Sequence, residues 1–226
     1  MKIFTIIKDK SSRVPGKNFR LLNGKPLWTW LVGELKDHEL YINTDSKRLI
    51  EDPLIEEFGA NVINRSQEHI DWEEKSQTLG SPVESMLADF YSDFVIDLDE
   101  PVALVHVTSP FLRAETLTKA STFLKQGYGS VHSVKRIQDF CYVAQGEEDE
   151  PPEPVNFNPE IIQRTQDLRP VFQSLGAFFI TNKRNWLETQ TRLPSPTRFF
   201  ELCYPENIEI DTEDEFLLAE RCASWS

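Results

Sequence analysis

The chain has 226 residues, 39% hydrophobic and 11% aromatic, and a net charge of −13. That length and apolar content suit one α/β domain with a sizeable core and exclude a disordered chain. The mean negative field repels polyanions, which argues against a general nucleic-acid binder or a protein of anionic membrane surfaces.

Ile3–Ile7 is a short β-branched run ending at charge, and it predicts a buried first strand. Residues 8–18, rich in Ser, Pro and Gly, predict a loop, and Pro26 suits the first turn of a helix over Leu27–Lys36. A strand over Leu40–Asn43, a helix over Asp45–Glu57 that stops near Gly59, and a strand over Asn61–Asn64 follow. Val83, Met86, Leu87 and Phe90 recur at helical spacing and predict a helix over Pro82–Tyr91. Val102–Val107 is the most uniform apolar run, as a central parallel strand requires. A helix over Ala114–Gln126, a strand over Ser130–Val134 and a solvated acidic loop over Gly146–Pro154 come next. Strands over Gly176–Thr181 and Phe199–Tyr204 and a closing helix over Glu213–Cys222 complete the chain. Strands alternating with helices predict a doubly wound, mostly parallel sheet with right-handed crossovers, which binds ligands beyond the carboxyl ends of its strands.

Cys141, Cys203 and Cys222 form no CxxC pair, so a thiolate zinc site is not expected, and buried thiols in a reducing cytoplasm are. The N-terminal apolar run is too short for a secretory core, and no stretch reaches the roughly 20 apolar residues of a membrane span. GxxxxGK[ST], GxGxxG, GxSxG and HxxxH are all absent, and nothing points to a covalent nucleophile.

Four stretches carry chemistry. The loop after the first strand holds Lys8, Lys10, Arg13 and Lys17, with the hydroxyls of Ser11 and Ser12, around a Pro-Gly turn. Backbone amides and cations in such a turn suit a polyphosphate, and a solvated basic loop accounts for them equally well. Thr108 and Ser109, at the end of the central strand, either cap the next helix or bond a ligand. Arg164 and Gln166 can pair with a carboxylate, a phosphate or a polar ligand group, or sit in a surface loop. Glu209 and Asp211 alternate in an extended segment and share a face, where they can hold Mg²⁺ beside substrate phosphates. A helix start with Asp211 or Thr212 as N-cap explains the rest of that acidic run.

In order, "IIKDKSSRVPGKNFRLLNGKPL", "NTD", "VTSPFLRAETL", "RTQDLRPVF…GAFFI" and "IEIDTEDEF" resemble the signature segments of sugar-acid cytidylyltransferases of the CMP-sialic acid synthetase type. The resemblance covers nearly the whole chain. It implies a nucleotide-diphospho-sugar transferase-like, Rossmann-type α/β fold, one domain over 1–226, with a small lobe at about 135–175 that pairs two copies into a homodimer. It implies that CTP and a 2-keto-3-deoxy sugar acid (sialic acid or a related nonulosonic or octulosonic acid) give the CMP-sugar and pyrophosphate with Mg²⁺. By that match Lys8, Ser11, Arg13 and Lys17 grip the triphosphate, while Asn18, Arg65, Thr108 and Ser109 lie on the nucleotide. His106, Arg164, Gln166 and Gln173 face the sugar acid, and Glu209 and Asp211 hold Mg²⁺. Catalysis falls to Lys8, Arg13, Lys17 and Asp211. Lys8 stands where the family commonly has Arg, Asp9-Lys10 where it has Gly-Gly, His106 where it has Gln, and Glu209 where it has Asp. Gln173 replaces a further Arg. These departures keep two alternatives in view: another acceptor such as a phosphonate, and a catalytically weak nucleotide-binding homologue.

Overall fold

The first strand is buried on both faces. Ile3 and Ile7 join one apolar cluster with Trp28, Leu31 and Leu35, whereas Phe4 joins another with Phe90, Tyr91 and Trp186. Two-sided burial is what a near-continuous apolar run in a parallel sheet requires. The computed structural model describes residues 1–11, 13–75, 81–144 and 150–224; Ser12 and residues 146–149 of the acidic stretch lie outside them.

The main sheet has seven strands: Lys2–Ile7 (β1), Glu39–Thr44 (β2), Asn61–Asn64 (β3), Pro101–Val105 (β4), Ser130–Ile137 (β5), Val171–Asn182 (β6) and Thr197–Glu201 (β7). Their order is β7-β5-β6-β4-β1-β2-β3, so the run expected to be central is central. β4, β1, β2 and β3 are mutually parallel, as is the β7–β5 pair. β6 runs antiparallel to both of its neighbours, which makes the α/β sheet mixed. Its pairing with β5 shifts register between Ser174 and Phe179.

Leu27–Glu34 (α1) packs Trp28, Leu31 and Val32 under β1 and β2. The helix expected over 45–57 is two short ones, Lys47–Ile50 (α2) and Pro53–Glu57 (α3). Pro53 cannot continue a helix but suits the start of one, and Asp52 caps that start by accepting from the Leu54 amide at 3.0 Å. Gln67–Lys75 (α4) was not foreseen, whereas Val83–Asp93 (α5) buries the predicted apolar stripe. Ala114–Ser121 (α6) tightens into a 3-10 turn over Thr122–Gln126. Lys183–Thr189 (α7) and Glu213–Ala223 (α8) end the fold. A third cluster, including Leu22, Leu27, Phe111, Ile210 and Phe216, packs α8 and the segment before it against α1 and a short hairpin that pairs Leu21–Leu22 with Lys25–Pro26. This cluster brings residues 208–211 beside the loop after β1.

Candidate active site

β1 and β4 lie side by side and parallel, so their carboxyl ends open at one edge of the sheet. There the loops after both strands meet the segment before α8 around a cavity of about 380 Å³. Gly16, at φ 63°, takes the left-handed turn that starts a 3-10 turn over Lys17–Phe19. That turn sends the buried Lys17 inward: its Nζ donates to the Ile210 carbonyl at 2.6 Å and lies 3.1 Å from Asp211 Oδ1. Arg13 reaches the same Oδ1 at 2.8 Å. Asn18 Nδ2 donates to the Lys8 carbonyl at 2.9 Å and ties the two ends of the loop together. Ser11, Lys8 and Thr108 also line the cavity.

Lys8 forms an ion pair with Glu73 of α4. The other Glu73 oxygen takes Arg65 at 3.1 Å, and Arg65 Nε donates to Asn43 Oδ1 at 3.1 Å. The Arg65 guanidinium is buried, and its second terminal nitrogen has no hydrogen-bond partner among the described residues. Burial pulls its pKa below the ordinary arginine value, opposed by Asp45 and Glu73. Arg65, Lys8, Asp9 and Asp45 line an adjoining cavity of about 750 Å³. Asp9, the acid beside the expected phosphates, turns outward: its Oδ1 accepts from Ser46 Oγ at 2.8 Å and from Arg48 Nε at 2.9 Å.

Gly176 links the opposite wall. Its amide donates to Glu209 Oε2 at 3.0 Å, and its carbonyl accepts from His106 Nδ1 at 2.5 Å. A Cβ at this position would collide with Glu209 Oε1 and lie 3.0 Å from His106 Nδ1, so any side chain here forces the Glu209 carboxylate to move. A carbonyl only accepts, so Nδ1 carries the proton. Burial pushes the His106 pKa down to about 4, so the ring is neutral near pH 7 and Nε2 is an acceptor. Burial also raises the Glu209 pKa, reinforced by Asp211 and opposed by the Gly176 amide.

The acidic segment serves both readings of its sequence. Thr212 and Glu215 form a capping box on α8, while Asp211 faces the cavity. Among the described residues no cluster of three or more His, Cys, Asp or Glu can hold a metal alone. Glu209 and Asp211 line one cavity with four cations, Lys8, Arg13, Lys17 and Arg192, and the two carboxylates fit Mg²⁺ bound by one or two acidic groups and completed by substrate phosphates.

The structure separates other expected residues from this cavity. Ser109 is fully buried, its hydroxyl unpartnered among the described residues, and neither it nor Thr108 caps α6, whose N-cap is Arg113. Arg164 pairs with Asp167 at 2.7 Å, and Gln166 and Gln173 are exposed. Gln173 lies opposite Lys135, beyond the register shift, where β6 has left the part of the sheet that borders β4. Within one chain none of these three lines the cavity.

Sequence reasoning missed Glu73, Gly176 and Arg192. The helical run "QEHIDWEEK" could have placed Glu73; nothing local singles out Arg192, which lines the cavity beside Phe179.

A family model described as cytidylyltransferase matches residues 9–147. An N-acylneuraminate cytidylyltransferase of Streptococcus agalactiae serotype V is 27% identical over 96% of this chain and 52% of its own length. A CMP-N,N'-diacetyllegionaminic acid synthase of Legionella pneumophila is 27% identical over 98% of this chain and 96% of its own. The chain thus spans about half the length of the streptococcal relative. The fold is similar to that of a CMP:2-keto-3-deoxy-manno-octonic acid synthetase solved with CTP, at a TM-score of 0.64, 14% identity and coverage of 99% of this chain and 98% of that one. The family match takes in the loop that carries Arg13 and Lys17 and the turn after β4, and the chain belongs to the cytidylyltransferase family.

Proposed function

We propose that the protein activates a 2-keto-3-deoxy sugar acid with CTP, giving the CMP-sugar and pyrophosphate. The observation that carries this is the convergence of Arg13 and Lys17 on Asp211 at the carboxyl ends of β1 and β4, within a protein of net charge −13. The named relatives act on sugar acids of this class, which supports the choice of acceptor.

Nucleotidyl transfer needs positioning and charge stabilisation more than protein covalent chemistry. A triphosphate entering the cavity draws Arg13 and Lys17 from Asp211, while Lys8 and Ser11 supply further donors. The acceptor hydroxyl forms a bond to the α-phosphorus as the bond to pyrophosphate breaks. His106, neutral and held by Gly176, presents Nε2 to accept a hydrogen bond from the acceptor. Bound Mg²⁺, held by Asp211 and Glu209, would offset charge on the phosphates. Arg65 lines the adjoining cavity, and its buried second terminal nitrogen is unpartnered among the described residues, which suits a donor to the acceptor groups of a base.

The same reading takes the protein as a cytoplasmic homodimer without a nucleic-acid partner. Exposed Tyr142, Val143, Ile161 and Ile162 in the small lobe support the pairing of two copies, and the net negative charge supports the lack of a nucleic-acid partner; of the thiols expected to be buried, Cys222 is buried and Cys203 is exposed. No helix among the described residues is long and apolar enough to cross a membrane.

Pyrophosphate release with CTP and Mg²⁺ over a panel of sugar acids tests the reading. Release with at least one acid is expected; CTP binding without release on any of them would overturn it.

A further inference from the structure

Arg192 lies between α7 and β7 and lines the cavity wall made by Phe179, Met86 and Val83, beside His106. Its Nε donates to Glu84 Oε1 on α5 at 2.9 Å, and its guanidinium sits 5.2 Å from the Phe179 ring centre. Its backbone amide reaches the same Glu84 oxygen at 3.5 Å. The two terminal nitrogens make no hydrogen bond among the described residues. One edge of the guanidinium is therefore clamped, and the terminal nitrogens keep their donors unused on a residue that lines the cavity. Its side chain is 20% exposed, so the fork is accessible without being fully solvated.

This station differs from the one around Asp211. Lys8, Arg13 and Lys17 gather positive charge that suits a polyanion. Arg192 stands apart from that cluster, with Glu84 pairing its Nε and leaving the terminal nitrogens as a directional pair of donors. Such a fork matches a planar carboxylate in two parallel hydrogen bonds, a match Lys cannot reproduce. Val83, Met86 and Phe179 supply the apolar surface that the carbon skeleton of the same ligand needs.

We propose that Arg192, oriented by Glu84, is the specificity residue that reads the carboxylate of the acceptor. The inference rests on the proposed sugar-acid reaction and assigns one of its substrate contacts. Its location also separates the two substrates: phosphates at the β1 loop, carboxylate at the α5 wall of the same cavity.

The test compares the unaltered protein with Arg192→Gln, Arg192→Lys and Glu84→Gln. The probes are N-acetylneuraminic acid, N,N'-diacetyllegionaminic acid and 2-keto-3-deoxy-manno-octonic acid, and the methyl ester of whichever acid turns over. Losing a charge-assisted fork is expected to raise the acceptor KM of Arg192→Gln by about 10- to 100-fold, with CTP KM within about threefold. Arg192→Lys should recover only part of that loss, and Glu84→Gln should raise acceptor KM by less than Arg192→Gln does. The unaltered protein should prefer acid over ester, and Arg192→Gln should lose that preference. An unchanged acceptor KM, or a rise in CTP KM instead, overturns the inference. Equal use of acid and ester by the unaltered protein also overturns it and needs no variant to fold. Release of no pyrophosphate from any of the three acids removes the proposed reaction and this inference with it; release with unaltered acceptor KM in Arg192→Gln removes this inference alone.

Discussion

Lys17 Nζ lies 3.1 Å from Asp211 Oδ1 across 194 residues of chain, and the same carboxylate oxygen receives Arg13 at 2.8 Å. Without phosphates, Asp211 is the counter-charge that holds two cations at the end of β1. Asp211→Asn should lower pyrophosphate release by at least about 100-fold, the order expected when a charged group at the reacting phosphates is lost. Its circular dichroism should remain that of the parent, since α8 keeps its Thr212–Glu215 cap. Turnover within a few-fold of the parent would show that the charge is not used.

Gly176→Ala places a methyl group on Glu209 Oε1 and crowds His106 Nδ1. Overpacking of this kind costs about 1–3 kcal/mol. Urea unfolding should show that loss, and activity should fall further than stability does, because both displaced side chains line the cavity. Full activity in a destabilised variant would mean that Glu209 and His106 are scaffold only.

Arg65 joins Asn43 of β2 to Glu73 of α4 while Lys8 reaches Glu73 from the cavity side. Arg65→Met removes the buried guanidinium's hydrogen bonds to Asn43 and Glu73, which costs about 1–3 kcal/mol. Lys8 still neutralises Glu73, so the protein should fold at reduced melting temperature. Its thermal stabilisation by CTP should shrink relative to that of the parent; equal stabilisation would remove Arg65 from the nucleotide contacts.

Asp9 faces Ser46 and Arg48, away from the main cavity. Asp9→Ala should change turnover by less than about threefold and stability by about 1 kcal/mol, the worth of a largely exposed pair with one hydroxyl bond. Assayed side by side, Lys8→Ala should be far more damaging to CTP use. The reverse order would return Asp9 to the reaction.

Burial lowers the pKa of His132, and it pushes that of His106 down to about 4 from the ordinary 6.5. A depressed pKa in the folded state stabilises fully above the unfolded value and loses that contribution as pH falls through the folded one. For His106 the window runs from 6.5 to about 4 and is worth about 3 kcal/mol. Glu209, raised by burial, works in the opposite direction, its contribution being lost as pH rises through its folded value. Urea midpoints at pH 7 and pH 4.5 should show the parent losing stability on acidification, and His132→Gln losing less. An identical acid loss in His132→Gln would mean that this ring does not titrate differently on unfolding.

The apolar runs at 3–7 and 102–105 and the helical stripe at 83–90 were legible because burial on a given face demands a local period. The basic loop was legible as an oddity of charge, and the ordered motifs connected it to the segment at 209–211. Pro53, also in plain view, split a helix that the apolar pattern alone had joined.

The direction of β6 was not legible, because an apolar strand reads the same parallel or antiparallel. That direction and the shift between Ser174 and Phe179 decided where Gln173 went, while the same strand brought Gly176 to Glu209 and His106. The orientation of Asp9 was equally hidden, since it depends on Ser46 and Arg48 arriving from another strand's loop. By itself the sequence determined the strands of the sheet, most of the helices (α4 and α7 excepted) and which loop concentrates cations. Only the tertiary structure decided that Asp211 faces those cations, that Glu73 closes on Lys8 and Arg65, and that Arg192 opens into the same cavity. Apart from Arg65–Glu73, eight positions apart, those choices are made by contacts between residues tens to nearly two hundred positions apart, which no local pattern records.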